Sequence, residues 1–296
     1  MIYYFDLHKT KVFGPMFKAS GVIHRNPFRG IASMYALNTR FAYKLPGSFF
    51  YPRPVFTGDD DKIIVFDTYS SPHLFDWLSE TYKDKRIILW YWNTVETNGL
   101  KKQLPARVET WSFSKADCVK YGMRYNTQFY FDCLARDAAE SRKQGLSQHP
   151  RAFFFGRDKG RSEILEDLKG RLEKEGVEVD LEIAAPFLGR MHFYREPLLP
   201  YRKVVDLVKK SDILLDYSND PDNGLTLRAM EALFFGKKLI TNNLEILDAD
   251  FYDPANIYVL GRDKRTFREF VNCPPEPVDP EIRDNYLLSN WLKRFD

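Results

Sequence analysis

A glycine-bracketed cluster of basic residues is the first stretch of the sequence that could do chemistry. Gly156, Arg157, Lys159 and Arg161 stand between an apolar run that predicts a strand and a periodic segment that predicts a helix. Backbone N–H groups at a helix start, together with nearby cations, bind phosphate groups. The spacing matches neither a Walker A loop nor the G-x-G-x-x-G fingerprint. The cluster therefore predicts a phosphate site, with a basic surface turn as the alternative.

A second stretch joins a helix start to polar side chains. Gly224 and Thr226 lie where a predicted helix begins, and their N–H groups, with that of Leu225, are expected to be unpaired. Arg228 and Glu231 follow at a spacing that places them on one helical face. We predict that Arg228 neutralises a leaving phosphate and that Glu231 accepts hydrogen bonds from ribose or sugar hydroxyls. The alternative interpretation is that both are the solvated face of a core helix.

The elements around this second stretch follow a strand–loop–helix–strand order. An apolar run predicts a strand over Ile213–Tyr217, and helical spacing covers Leu225–Phe235. Gly236 follows where a helix often ends, and Lys238–Thr241 predicts the next strand. The intervening loop would open at the carboxyl ends of parallel strands, where open α/β sheets bind ligands.

Residues 223–241 resemble the donor-site segment of GT-B glycosyltransferases. The closer likeness is to bacterial polysaccharide and lipopolysaccharide glycosyltransferase-like proteins that carry TGLTxR here, against Gly224-Leu-Thr-Leu-Arg228. The resemblance implies that Glu231 binds the donor ribose or sugar and that Gly224 lies against the diphosphate. The first glutamate of the family's E-x7-E pattern is replaced by Asn223, and both retaining and inverting outcomes stay open.

The domain organisation is predicted from the order of the elements. Strands alternate with helices along the chain, which indicates an α/β protein with mostly parallel sheets. The resemblance implies two Rossmann-like domains facing a cleft. We assign residues 1–140 to an acceptor-side domain and 150–280 to a nucleotide-sugar donor domain, with a polar linker over 136–150. The last helix, 281–296, is expected to cross back to the first domain.

Acidic and histidine side chains at strand ends are the candidates for a catalytic base. The resemblance implies that such a base comes from the first domain, where Asp6 and His8 follow the first predicted strand and Asp67 follows the next one. Each has a structural role as its alternative. Asp59-Asp60-Asp61 resembles the metal-binding DxD motif of the other glycosyltransferase fold. The favoured interpretation is a turn with solvated charges. We expect no metal and no cofactor, since the nucleotide sugar is a substrate.

Composition bounds the protein class. Three cysteines among 296 residues are too few for a disulfide framework, and no apolar run approaches the length of about 18 residues that a membrane helix needs. The few, scattered cysteines predict a reducing, cytoplasmic setting. The start, MIYYFDLHKTK, lacks the apolar core that a signal peptide is expected to have. Residues 1–58 carry eight Lys and Arg but one acidic residue, whereas residues 149–296 carry 23 Lys and Arg against 27 acidic residues.

That charge asymmetry predicts a peripheral contact with an anionic membrane, with a merely solvated basic surface as the alternative. No nucleic-acid-binding signature is present. The sequence therefore predicts a metal-independent glycosyltransferase that uses a nucleotide-sugar donor and a glycan or lipid-linked acceptor in bacterial surface polysaccharide or lipopolysaccharide synthesis. The main alternative is a noncatalytic nucleotide- or glycan-binding protein with a degenerate donor site, and an NAD-dependent Rossmann enzyme comes third.

Overall fold

A computed structural model describes residues 3–5, 10–25, 44–51, 53, 62–67, 72–141, 146–184, 199–222 and 224–295. The chain divides into two compact units, residues 1–127 and 128–296. Each unit is built on its own parallel β-sheet with helices between the strands. The prediction of an α/β protein with a parallel sheet in each half is therefore confirmed. The division at 127 falls before the linker that the sequence predicts.

The first unit has its strands in the order β2-β1-β3-β4-β5-β6, all parallel to their neighbours. The strands are β1 Tyr3–Phe5, β2 Ile23–Arg25, β3 Lys62–Phe66, β4 Arg86–Tyr91, β5 Val108–Ser112 and β6 Arg124–Tyr125. The helices are α1 Thr10–Ala19, α2 Gly47–Phe50, α3 Pro72–Thr81, α4 Val95–Asn98 and α5 Lys115–Tyr121. The central strand β3 is buried along its whole length, as a continuous apolar run in a parallel sheet should be.

The second unit has the strand order β11-β10-β9-β7-β8, again all parallel. The strands are β7 Arg151–Arg157, β8 Glu178–Ala184, β9 Ile213–Asp216, β10 Lys238–Thr241 and β11 Ile257–Val259. The helices are α6 Asp132–Ser141, α7 Ser162–Glu173, α8 Tyr201–Lys210, α9 Leu227–Phe235, α10 Phe267–Asn272, α11 Pro280–Asp284 and α12 Leu288–Lys293, with a 3-10 helix at Leu244–Asp248. Buried side chains of β7, β9 and α7 share one hydrophobic core.

Helix α9 has the ends that its residue types favour. Thr226 is the N-cap residue, and its hydroxyl oxygen accepts a hydrogen bond from the Ala229 N–H at 3.2 Å. Gly236 ends the helix in the left-handed conformation with φ 60°, which glycine adopts without a steric penalty. The helix therefore begins at Leu227, slightly later than the predicted start at Leu225.

The C-terminal segment differs from the single helix predicted over 281–296. It forms α11 and α12 with a break between them, because the chain there pairs with Tyr130. The Tyr130 N–H donates to the Tyr286 carbonyl at 2.7 Å, and the Leu288 N–H donates to the Tyr130 carbonyl at 2.7 Å. The segment thus returns to residues before the predicted linker, but these residues belong to the second compact unit.

Helix α6 occupies part of the segment that the sequence predicts as a linker. It packs against α9 within the second unit, and Ala138 on it is fully buried. Its many charged residues mask the apolar face that this packing buries, so periodicity alone indicates only a helical fragment.

Candidate functional site at the edge of the second sheet

Two loops meet at the carboxyl end of the second sheet, one after β7 and one after β9. The Asn219 side-chain amide donates to the Lys159 carbonyl at 2.8 Å. The Arg161 guanidinium donates to the Tyr217 carbonyl. Strands β7 and β9 are neighbours, so their carboxyl ends lie side by side. The structure therefore brings the predicted basic cluster to the loop that precedes α9.

Arg161 organises the loop after β7. Its Nε and Nη2 atoms donate to the Arg157 carbonyl at 3.2 and 2.9 Å, and its guanidinium carbon lies 4.9 Å from the centre of the Phe154 ring. A Cβ atom added to Gly156 would lie 2.7 Å from Arg161 Nη2. A side chain at position 156 would therefore displace the guanidinium from the strand end.

Positive charge is concentrated in this loop. Burial lowers the pKa of Lys159, and the nearby Arg161 and Arg157 cations lower it further. Within the described part of the chain, none of these three side chains takes part in a salt bridge. Asp158 and Asp216 lie near Arg161, but the three cations outnumber these acids at the edge of the sheet, so an anion would stabilise the site.

The start of α7 is partly occupied by a carboxylate from the same loop. Asp158 Oδ1 accepts from the Ser162 N–H at 2.9 Å, from the Arg161 N–H at 3.1 Å and from the Ser162 hydroxyl. These hydrogen bonds, with that of the Ser162 hydroxyl the strongest, hold the pKa of Asp158 below its usual range. The cationic side chains of the loop, rather than its helix N-terminus, are thus the groups available to a phosphate.

A buried cluster lies beneath the predicted face of α9. Glu231 is 1% exposed, accepts a hydrogen bond from the Tyr201 hydroxyl at 2.7 Å and pairs with the Arg228 guanidinium. Arg228 also approaches the Phe155 carbonyl, 3.4 Å from its Nη2, and lies 5.4 Å from the centre of the Phe153 ring. Arg228 thus reaches the end of β7 from one face of the sheet. Glu231 is therefore not on a solvated face of α9, and that alternative is excluded for this residue.

Asp216, at the end of β9, is a further buried carboxylate. Its Oδ2 atom accepts from the Thr226 hydroxyl at 2.9 Å and from the Thr241 hydroxyl at 3.2 Å. Burial raises the pKa of Asp216, whereas these hydroxyls and the Arg228 and Arg161 cations act in the opposite direction. Asp216 is therefore a common neighbour of both arginines, and it ties the N-cap of α9 to the sheet.

The prediction of an unpaired N–H group at Gly224 is wrong. The Gly224 N–H donates to Glu245 Oε1 at 3.1 Å, and the Gly224 carbonyl accepts from the Asn243 side-chain amide. Thr226 likewise uses its hydroxyl for Ala229 and Asp216. The Glu245 carboxylate satisfies the Gly224 N–H because buried backbone donors rarely stay unpaired.

Of the three candidates for a catalytic base, only Asp67 lies among the described residues. Asp67 is fully buried and accepts from the Trp92 N–H at 3.3 Å, the Asn93 N–H at 3.2 Å and the Asn98 amide at 2.7 Å. These bonds give Asp67 a structural role in joining the ends of β3 and β4, and its catalytic role stays a prediction.

Several other predicted positions lie outside the described residues. They are Asp6, His8, Asn223 and Asp59–Asp61.

Sequence reasoning missed Tyr201 and Asp216. Asp216 had a signal, because it is a carboxylate at the end of an apolar strand that leads into the candidate loop. Tyr201 had none, since it is far from Glu231 along the chain and begins a different helix.

Among the residues that the structure describes, no group of three or more His, Cys, Asp and Glu side chains is placed to hold a metal ion. In the same part of the chain, every helix is too short or too polar to cross a bilayer.

No family model matches the sequence, and no curated protein matches it. Among solved structures, the chain is similar to the apo form of the lipopolysaccharide outer core galactosyltransferase WaaB, with 12% identity, a TM-score of 0.48 and coverage of 100% of this chain and 98% of that one. It is also similar to the spinosyn forosaminyltransferase SpnP, with 9% identity, a TM-score of 0.39 and coverage of 91% and 87%.

Proposed function

We propose that the protein is a glycosyltransferase that moves a sugar from a nucleotide-sugar donor to a glycan or glycolipid acceptor. The observation that carries this proposal is the cluster of Arg157, Lys159 and Arg161 at the carboxyl edge of the second sheet, with Arg228 reaching the same strand end. Glycosyl transfer from such a donor releases a nucleoside diphosphate or monophosphate, and preorganised cations stabilise the charge that develops on its leaving phosphate oxygen.

The resemblance of residues 223–241 to GT-B donor sites supports a nucleotide sugar over other phosphorylated ligands. The same resemblance supports an acceptor in bacterial surface polysaccharide or lipopolysaccharide synthesis. The donor's phosphates would lie against the basic loop. Glu231 would contact donor hydroxyls only through the lone pairs that its hydrogen bonds with Tyr201 and Arg228 leave free.

The base for an inverting reaction is proposed among Asp6, His8 and Asp67. The first two follow β1, and the third is held by donors from the loop after β4. A base must reach the proton that it removes, so the saturated hydrogen bonding of Asp67 favours the other two.

A second candidate function is noncatalytic binding of a nucleotide or glycan. The engagement of Glu231 and Thr226 in internal hydrogen bonds favours it, because these groups have fewer lone pairs and donors left for a substrate. Binding of a nucleotide sugar without any turnover, over a broad panel of glycan and lipid-linked acceptors, would establish this alternative instead.

The proposed function is tested by melting the protein with UDP-, GDP-, CMP- and dTDP-sugars, since a ligand of the folded state raises the melting temperature. One donor class should stabilise the protein, and Lys159→Ala should weaken its binding about tenfold or more, because a hydrogen bond to a charged group is lost. Lys174→Ala, an exposed lysine at the other end of α7, is the control. Stabilisation by none of the donors would overturn the proposal.

Metal independence leads to a separate prediction. Turnover should survive EDTA, since the cations of the basic loop replace a divalent ion at the leaving phosphate. The measurement is the rate of donor consumption before and after chelation. Loss of turnover that Mn²⁺ or Mg²⁺ restores would instead implicate a metal site, with Asp59–Asp61 as the first residues to substitute.

A peripheral membrane contact is also proposed, through the basic N-terminal part of the chain. Leu45 and Phe49 are 39% and 47% exposed, and the basic residues Lys44 and Arg53 flank them at the surface. Each basic residue near an anionic surface contributes about 1 kcal/mol, which salt screens.

Co-sedimentation with phosphatidylglycerol vesicles should therefore occur at low salt, fall at high salt and weaken in Phe49→Ser with Arg53→Glu. Binding that is equal for neutral phosphatidylcholine vesicles would contradict this contact.

A further inference from the structure

A chain of three side chains runs from a buried tyrosine to the sheet edge. The Tyr201 hydroxyl donates to Glu231 Oε1 at 2.7 Å, and Glu231 Oε2 accepts from Arg228. Tyr201 and Glu231 are both buried, and they come from the neighbouring helices α8 and α9. The fold thus uses two helices to hold one guanidinium in place.

Arg228 retains donors for a ligand in this arrangement. A guanidinium has five N–H donors in a fixed plane. The described contacts use one donor on Nη1 for Glu231 and one on Nη2 for the Phe155 carbonyl at 3.4 Å. The remaining donors are held in orientation by the two bonded ones, because the group is planar and rigid.

We propose that Tyr201 and Glu231 are positioning residues that hold the Arg228 guanidinium toward the donor phosphates at the end of β7. This inference rests on the proposed function, and it assigns to Glu231 a role other than contact with sugar or ribose hydroxyls. Tyr201 acts through Glu231 and does not touch the substrate.

The protonation of Glu231 connects this geometry to pH. Burial raises the pKa of Glu231, whereas Arg228 and then the Tyr201 hydroxyl lower it. The ionisable groups that face it are Arg228, Tyr201, Tyr130 and Asp216. A protonated Glu231 no longer attracts Arg228, so the guanidinium should be held less firmly as the pH falls. Without the Tyr201 hydroxyl the pKa of Glu231 should be higher, so Arg228 should lose its ionised partner at a higher pH.

The test measures the dissociation constant of inorganic pyrophosphate by calorimetry between about pH 5 and about pH 8. Pyrophosphate contains no sugar or ribose, so it reports the phosphate site alone. The Tyr201→Phe variant should bind it about twofold more weakly at about pH 8 and about tenfold more weakly near pH 6, a loss of about 1.4 kcal/mol. The ratio to the wild type cancels the ligand's own titration.

Tyr258→Phe is the matched control. Tyr258 is a buried tyrosine of the same unit, and its hydroxyl donates one hydrogen bond, to the Arg265 carbonyl at 2.8 Å. Its pyrophosphate affinity should equal that of the wild type at every pH. A Tyr201→Phe ratio of one, or a ratio that does not change with pH, would overturn the positioning role.

Glu231→Gln provides a second variant should Tyr201→Phe fail to fold. Its amide cannot ionise, so its affinity should fall about fivefold below the wild type at about pH 8 and approach it as the wild-type carboxyl protonates. Unchanged pyrophosphate binding with weakened nucleotide-sugar binding would overturn the inference and leave the proposed function standing. A wild-type protein that binds neither ligand would overturn both.

Discussion

Arg161 is the residue on which the shape of the basic loop depends. It spans from the Arg157 carbonyl to the Tyr217 carbonyl and so joins the loops after β7 and β9. Burial lowers the pKa of its guanidinium, while Asp216 and Asp158 act in the opposite direction. An arginine that is held by carbonyls keeps its positive charge in one place, which suits a site for a fixed phosphate.

Gly156→Ala tests this dependence. The new methyl group would lie 2.7 Å from Arg161 Nη2, so the guanidinium should move away from the strand end. We expect donor binding to weaken while the free energy of unfolding falls by at most about 1 kcal/mol, because the displaced atom is the end of a flexible side chain. Chemical denaturation and calorimetric titration measure the two effects.

Gly170→Ala is the matched control, because it lies inside α7 with nothing within 4 Å of the added Cβ. It should raise the free energy of unfolding by about 0.5–1 kcal/mol, as alanine favours a helix interior. Equal effects of the two substitutions would contradict the steric requirement at Gly156.

At the scale of elements, the start of α9 is the point where helix, sheet and site are joined. The Thr226 hydroxyl accepts from the Ala229 N–H and donates to Asp216 at 2.9 Å. The cap and the buried carboxylate therefore depend on one side chain. The start of α10 provides a comparison, since Thr266 forms a capping box with Glu269 at the surface.

Thr226→Ala should lower the free energy of unfolding by about 2–4 kcal/mol, because it removes a helix cap and also a donor to buried Asp216. Thr226→Ser keeps both bonds and should lose less than about 1 kcal/mol. Thr266→Ala removes a cap alone and should cost about 1 kcal/mol. Urea denaturation of the three variants measures the differences. A smaller loss for Thr226→Ala than for Thr266→Ala would show that Asp216 does not depend on the hydroxyl.

At the scale of the whole molecule, a buried lysine links stability to pH. Lys238 on β10 is almost fully buried and donates to the Ala255 and Phe270 carbonyls, both at 2.7 Å. Burial lowers the pKa of Lys238 from its ordinary 10.5 to about 8. Between these two values the unfolded chain holds the proton and the folded protein does not. The free energy of unfolding should therefore rise with pH across that window.

Lys238→Met isolates this effect, because every other titrating group is shared with the wild type. The wild type should gain about 3 kcal/mol of unfolding free energy relative to the variant between about pH 7.5 and about pH 10.5. Denaturant titrations of both proteins at several pH values give the difference directly. A difference that stays constant over this range would mean that the folded-state pKa of Lys238 is not lowered.

The elements themselves could be predicted from the sequence. Continuous apolar runs indicated the strands on either side of the candidate loop, and Lys238–Thr241 has the predicted bounds. Gly236 was recognisable as a helix end, since it acts through neighbouring residues. Likewise, the basic loop could be predicted because its charges are contiguous. Such features depend on local periodicity and local hydrogen bonds, which the order of residues alone determines.

What only the tertiary structure decided depends on residues far apart in the chain. Tyr201 and Glu231 meet because α8 and α9 pack together, and the Tyr130 backbone interrupts the last helix because it pairs with residues 286–288. Hydrogen bonds of this kind leave no periodic pattern in the sequence, since either partner is an ordinary tyrosine or acid until packing brings the other close. Burial explains this cluster, because Glu231 is excluded from water and needs hydrogen-bond donors, which Tyr201 and Arg228 supply.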